Sequence, residues 1–190
     1  MNTKSIITLS ALPLLMASQL TTAQVVDVEV TNLTQGMYFT PLLVSAHSSS
    51  THLFEAGQTA TPELQAMAEG GDIAGLVSAT AATGAVNSEN PASGLLAPSS
   101  AAQVSDLDTL TNTQLSVVAM LLPTNDAFVG LNSWDIPQQA GTYTIYLNAY
   151  DAGTEANDEV VNGGGANACT SGGSPFSTAI STCAECDAGL

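Results

Sequence analysis

Thr113 to Leu121 reads TQLSVVAML, and further along Thr142 to Tyr150 reads TYTIYLNAY. In the first stretch Leu115, Val117, Ala119 and Leu121 fall on every second position. In the second, Tyr143, Ile145, Leu147 and Ala149 do the same. A period of two carries alternate side chains to one face of an extended chain, and β-branched and aromatic residues suit a half-buried pleated surface. Both stretches are therefore predicted as strands with one face toward a core. Upstream, Val26 to Val30 alternates apolar residues against Asp27 and Glu29, a third strand. Met37 to Ser45 (MYFTPLLVS) is a fourth, with Pro41 placing it at an edge, and a short strand is expected near Leu53-Phe54. Thr61-Pro62-Glu63 opens a short helix, with Thr as N-cap, Pro at the first helical position and Glu in the first turn; Gly70-Gly71 ends it. Asp72 to Ala79 suits another short turn of helix or a strand. Ala81 to Ala102 is small, polar and weakly periodic, a surface excursion. Short strands with turn-rich connections, and no βαβ alternation, predict an all-β fold: an antiparallel β-sandwich with one short helix.

The segments outside this pattern set the organisation. Lys4 is followed by an apolar run, Ile6 to Met16, too short to span a bilayer, and then by the small residues Thr21-Thr22-Ala23. That order is an export signal with cleavage expected after Ala23. The expected division is a signal peptide over 1–23, one sandwich domain over 24–161, and a loosely ordered Gly/Ser-rich tail over 162–190 that carries three cysteines. The chain has 17 Asp and Glu against a single Lys or Arg, and that one is Lys4. With no base at hand, the domain is excluded from nucleic-acid phosphates and from anionic membrane surfaces. No segment after the signal is long and apolar enough to insert in a membrane. Its carboxylates, where brought together, need protons, salt or a bound cation.

Two acidic segments each follow one of the opening strands. The first is Leu122-Pro123-Thr124-Asn125-Asp126-Ala127-Phe128-Val129-Gly130-Leu131-Asn132. The second runs from Asn148 through Asp151-Ala152-Gly153-Thr154-Glu155 to Glu159. If the two strands are neighbours running the same way, both loops leave one end of the sandwich. Gly153 can take a positive φ, letting the loop fold back so that Asp151 and Glu155 aim at one point, with Asp126 as a third group. Two carboxylates about 4 Å apart repel by roughly 4 kcal/mol at an effective dielectric near 20. A hard cation reverses that sign. Calcium, which takes about 6–8 oxygens in loose geometry, fits loops better than magnesium, and transition metals prefer nitrogen or sulfur. The plainer alternative is that these acids are solvated loop residues of an acidic chain.

Asn125-Asp126-Ala127-Phe128-Val129-Gly130 and Asp151-Ala152-Gly153-Thr154-Glu155 together resemble the signatures of the spondin N-terminal domain family, shared by F-spondin and mindin and found in bacterial exported proteins. Leu53-Phe54-Glu55-Ala56-Gly57-Gln58, the run Leu64 to Asp72, and Val28 to Thr34 are similar to the bacterial members. The resemblance covers roughly Val26 to Glu159. It implies a C2-like sandwich holding calcium at one end through Asp126, Asp151 and Glu155. Ala127 departs from the family's aromatic, and Glu155 stands where Asp is common, a longer reach for the same carboxylate.

Other candidates weigh less. His47 and His52 flank a serine run and read as solvent-facing loop residues, with metal ligation or a Ser-activating base as the sharper alternative. No Gly-x-Ser-x-Gly or His-Glu-x-x-His motif is present. For Cys169, Cys183 and Cys186, one disulfide is expected in an exported chain. It joins either Cys169 to one of the later pair or Cys183 to Cys186, leaving a thiol for pairing between chains. Three cysteines lack a fourth zinc ligand unless Asp187 or a histidine serves. Trp134 is expected to anchor the core. The expectation that follows is a calcium-binding recognition or adhesion module, not an enzyme, acting on an extracellular protein or glycan from a secreted or periplasmic location. A secreted hydrolase using loop carboxylates or His52, and a calcium-dependent surface-coat protein, are the alternatives.

Overall fold

The computed structural model describes residues 23–156. The export segment, apart from Ala23, lies outside the described residues, as do the 162–190 tail and Cys169, Cys183 and Cys186. Eight strands and two helices follow in the order β1 (Val25–Thr31), β2 (Tyr38–Phe39), β3 (Leu43–His47), α1 (Pro62–Gly70), α2 (Ala74–Ala81), β4 (Val86–Glu89), β5 (Ala101–Asp108), β6 (Gln114–Leu122), β7 (Ala127–Asp135) and β8 (Asn148–Asp151). All pairings are antiparallel. The main sheet is ordered β4-β3-β6-β7-β8, with β2 pairing onto β6, while β1 and β5 form a separate two-stranded sheet.

Strand β6 is the axis of the molecule. Leu115, Val117, Ala119 and Leu121 of β6 enter a cluster shared with Val30 of β1 and with Ala102, Val104 and Leu107 of β5. This is the sandwich core. The alternate residues Val118, Met120 and Leu122 enter a second cluster, with Leu64, Met67 and Ala68 of α1, Leu76 of α2, and the loop residues Leu53 and Phe54. The main sheet is thus covered on both faces, by the β1–β5 ribbon on one and by helices on the other, a β-sandwich-like arrangement. Strands buried on both faces carry apolar residues without a gap, which is why Val117-Val118-Ala119-Met120 is continuous.

Helix α1 forms as its caps dictate. The Thr61 hydroxyl accepts from the Leu64 amide at 3.2 Å, Pro62 opens the first turn, and Gly71 closes the helix in the left-handed region at φ 69°. Gly71 is also required by space, since a Cβ there would stand 2.8 Å from Thr40 Cβ.

Several expectations change. Asp72 to Ala79 settles as a second helix, α2, with Leu76 and Thr80 buried. Met37 to Ser45 is broken at Thr40-Pro41 into β2 and β3; both pieces pair with β6, and the Thr40 hydroxyl accepts from Met120 N at 3.0 Å across the gap. Leu53-Phe54 is buried core without strand pairing. The excursion over 81–102 contains β4 and leads into β5, whose extra residue at Asp106 (φ 54°) shifts the register from Val28–Val104 to Val26–Leu107. Thr142 to Tyr150 pairs only from Asn148 onward; Tyr143 and Tyr146 are exposed. Conversely, most of the segment read as a loop after β6 is strand: β7 begins at Ala127. Its inward residues, Val129 in one core and Phe128 in the other, do not alternate with polar ones.

Candidate functional site

Because β7 runs antiparallel to both β6 and β8, the latter two point the same way with β7 between them. The turn leaving β6 (123–126) and the turn leaving β8 (152–156) therefore emerge at one end of the sheet. Direct neighbourhood of the two strands is not needed; one intervening antiparallel strand achieves the same alignment.

Asp126 closes the first turn and is 3 % exposed. Its Oδ2 accepts from Thr154 N at 2.7 Å, Glu155 N at 3.0 Å and Thr154 Oγ1 at 3.2 Å. Its backbone carbonyl accepts from Ala152 N at 3.2 Å, and Asn125 Nδ2 donates to Ala156 O at 3.1 Å. The second loop is shaped to supply these donors. Asp151 Oδ1 accepts from Gly153 N at 2.7 Å, and Gly153 turns at φ 68°, so that the next two amides face one carboxylate. Consecutive N–H groups turned inward make an anion cradle. No lysine or arginine follows Lys4, so these amide dipoles provide the compensation that a base would give elsewhere.

The sequence-predicted trio is thus joined through Asp126: its carboxylate contacts the backbone of Glu155 directly, and Asp151 shapes the turn that presents it. The three carboxylates are not gathered. Among the described residues no three His, Cys, Asp or Glu side chains stand close enough together to hold a metal ion. The donor chemistry nevertheless suits a hard cation, since the loops offer carboxylate and carbonyl oxygens and no nitrogen or sulfur ligand.

Beside this clamp lies a groove of about 90 Å³ lined by residues that include Phe54, Glu55, Leu64, Tyr150, Asp151 and Ala152. Its wall is a ring cluster. Phe54 meets Phe128 edge-on at 5.1 Å and Tyr150 at 4.8 Å, and Phe128 stacks on Tyr150 at 5.4 Å. Gly130 makes the cluster possible, because a Cβ there would lie 2.7 Å from Phe54 Cζ. The sequence offered little sign of this groove: Phe54 and Tyr150 are far apart in the chain, and only the alternation of β8 placed Tyr150 on a face.

The histidines differ from the expectation of two solvent-facing side chains. His47 is fully buried. Its Nδ1 lies 2.9 Å from the Ser48 carbonyl, which can only accept, so Nδ1 carries the proton. Nε2 then accepts from the Ser116 hydroxyl at 2.8 Å, and that oxygen accepts from Ser133 N. Burial holds His47 below the usual histidine range, helped by the nearby His52 and opposed by the bond to Ser48. His52 is exposed, with Nδ1 3.1 Å from Ser133 Oγ and Nε2 3.8 Å from Glu55 Oε1. Trp134 packs half-buried against the sandwich core and tilts against Tyr143 at 6.1 Å, the anchoring role expected of it.

No helix among the described residues is long and apolar enough to cross a membrane. Residues 31–161 match the family model described as Spondin_N. No curated protein matches the chain.

Proposed function

The chain belongs to the spondin N-terminal domain family, and from that premise we propose that it is an exported, calcium-binding module that recognises an extracellular protein or glycan and catalyses no reaction. The observation that carries this reading is the clamp of Asp126 on Thr154 and Glu155, which joins two acidic turns at one end of the sheet. Asp126, Asp151 and Glu155 would hold the ion. Calcium would supply positive charge that the chain itself lacks beyond Lys4, and so order the turns that face a partner. Export is supported by the charged-apolar-small order of residues 1–23.

Calorimetric titration of the purified domain with calcium, beside magnesium, tests the proposal. Calcium binding at one site, with a rise in melting temperature that Asp126→Asn removes, is the expected result. An identical thermal response in the variant refutes the assignment. A second reading, hydrolysis, is favoured by one contact, His52 Nδ1 to Ser133 Oγ with Glu55 on the far nitrogen. Against it, the Ser133 hydroxyl already donates to Asn132 Oδ1 at 2.9 Å. Ester turnover abolished by His52→Gln would establish this second reading.

A further inference from the structure

The groove beside the clamp combines two features: a wall built on three aromatic rings, and acidic residues in its lining. Phe54 and Phe128 are buried, whereas Tyr150 is part-exposed. Glu55, with its side chain 55 % exposed, and Asp151 both line the groove. Aromatic faces and carboxylates share one electrostatic preference, for a cation with an apolar stem. The volume is about 90 Å³. That falls short of the roughly 300 Å³ or more of a pocket for a whole small-molecule ligand and suits the end of one side chain.

The source of the cation is constrained by the chain itself. The sequence holds one Lys, at position 4, and no Arg. The sandwich has no lysine or arginine of its own for the groove, and a second copy of the sandwich has none to offer; His52 reaches toward the groove only as far as the Glu55 carboxylate, at 3.8 Å. We propose that the groove between Phe54, Glu55, Tyr150 and Asp151 accepts a lysine side chain presented by a partner polypeptide. The ammonium sits at Glu55 and Asp151 while the methylenes lie along the ring cluster. The chain's formal net charge of −16 speeds the encounter with a basic partner. This goes beyond the calcium reading: Asp151 is shared with the proposed calcium ligands, whereas Glu55 and the rings are not, so binding in EDTA tests it separately.

The test is an amide-shift NMR titration of the full chain with N-acetyl-lysine-methylamide and, in parallel, with the norleucine analogue that has no ammonium. Each titration is run once in EDTA and once in calcium. The expected result is millimolar lysine binding in EDTA that shifts Gly57 and Ala152, weakens with salt, and exceeds norleucine binding. Glu55→Gln, at an exposed position, weakens it roughly two- to fivefold, the scale of one exposed ion pair. Equal binding of the norleucine analogue, shifts elsewhere than the groove, or an unchanged affinity in Glu55→Gln would each overturn the proposal. Since calcium binding is scored separately by calorimetry, failure of either reading is seen without the other.

Discussion

Replacing Asp126 by Ala deletes the acceptor on which the second turn closes. Three donors lose their partner, but they are not equal. The Thr154 hydroxyl, at 3.2 Å, can rotate to water and contributes little. The two amides, at 2.7 and 3.0 Å, point at a buried carboxylate, and hydrogen bonds to a charged group contribute about 1.5–3 kcal/mol each. Thr154 and Glu155 are half-exposed, so water recovers part of this. The net loss is then about 2–4 kcal/mol. One effect opposes it: a negative charge leaves a chain with formal net charge −16. That relief is screened within about 8 Å at 0.15 M ionic strength and does not cancel two buried bonds. Asp126→Asn keeps the shape and one acceptor oxygen, and charge-assisted bonds are about twice as strong as neutral ones, so its loss is roughly half, about 1–2 kcal/mol. Urea unfolding in EDTA at 0.15 M salt measures both. Hydrogen exchange at Thr154 and Glu155 adds a local readout, with exchange faster by about tenfold for each 1.4 kcal/mol of local stability lost. If Asp126→Ala unfolds within 0.5 kcal/mol of the parent chain and leaves both amides protected, the clamp does not hold the loop.

Gly130→Ala forces a methyl against Phe54 in the ring cluster, and destabilisation of about 1–3 kcal/mol is expected, read as a lower urea midpoint at unchanged slope. His47 predicts a pH dependence. Its native pKa lies below the value near 6.5 of the unfolded chain. The unfolded state therefore binds more protons, and stability is full above about pH 6.5 and falls as the pH drops from there toward the native pKa. His47→Gln should lose that slope between pH 8 and 5, and a parent chain whose stability is flat across the same window contradicts the buried neutral assignment. Thr61→Ala removes the N-cap of α1 and should lower stability by about 1 kcal/mol, checked by thermal unfolding.

How much of this was legible in the sequence depends on how many faces of an element are buried. Strand β1, polar on alternate positions, announced itself within a residue of each end, and α1 did so through Thr61, Pro62 and Gly71, each a local signal. Strand β7 was hidden because Val129 and Phe128 serve opposite cores and Gly130 leaves its place to Phe54, so no period survives. The reverse held for Thr142 to Leu147, where a clean alternation lies outside any strand pairing; periodicity reports a capacity to pair, and only the register of β7 decides which residues use it. At the site, the acids and their common end were readable from the strand-loop order. That Asp126 binds amides of the other turn was not, because a backbone donor leaves no trace in residue type. His47 looked like its neighbour His52 because both flank a serine run that reads as a polar loop, and its long-range partner Ser116, 69 residues on in β6, gives no local sign of the contact.

The two apolar clusters meet in a single strand, with Val117 and Ala119 in one and Val118 and Met120 in the other. Neither can melt while the other stays intact, because the residues that must let go alternate along one backbone. The ribbon side and the helix side are therefore coupled covalently, residue by residue, and heating should show one calorimetric transition whose van't Hoff and measured enthalpies agree.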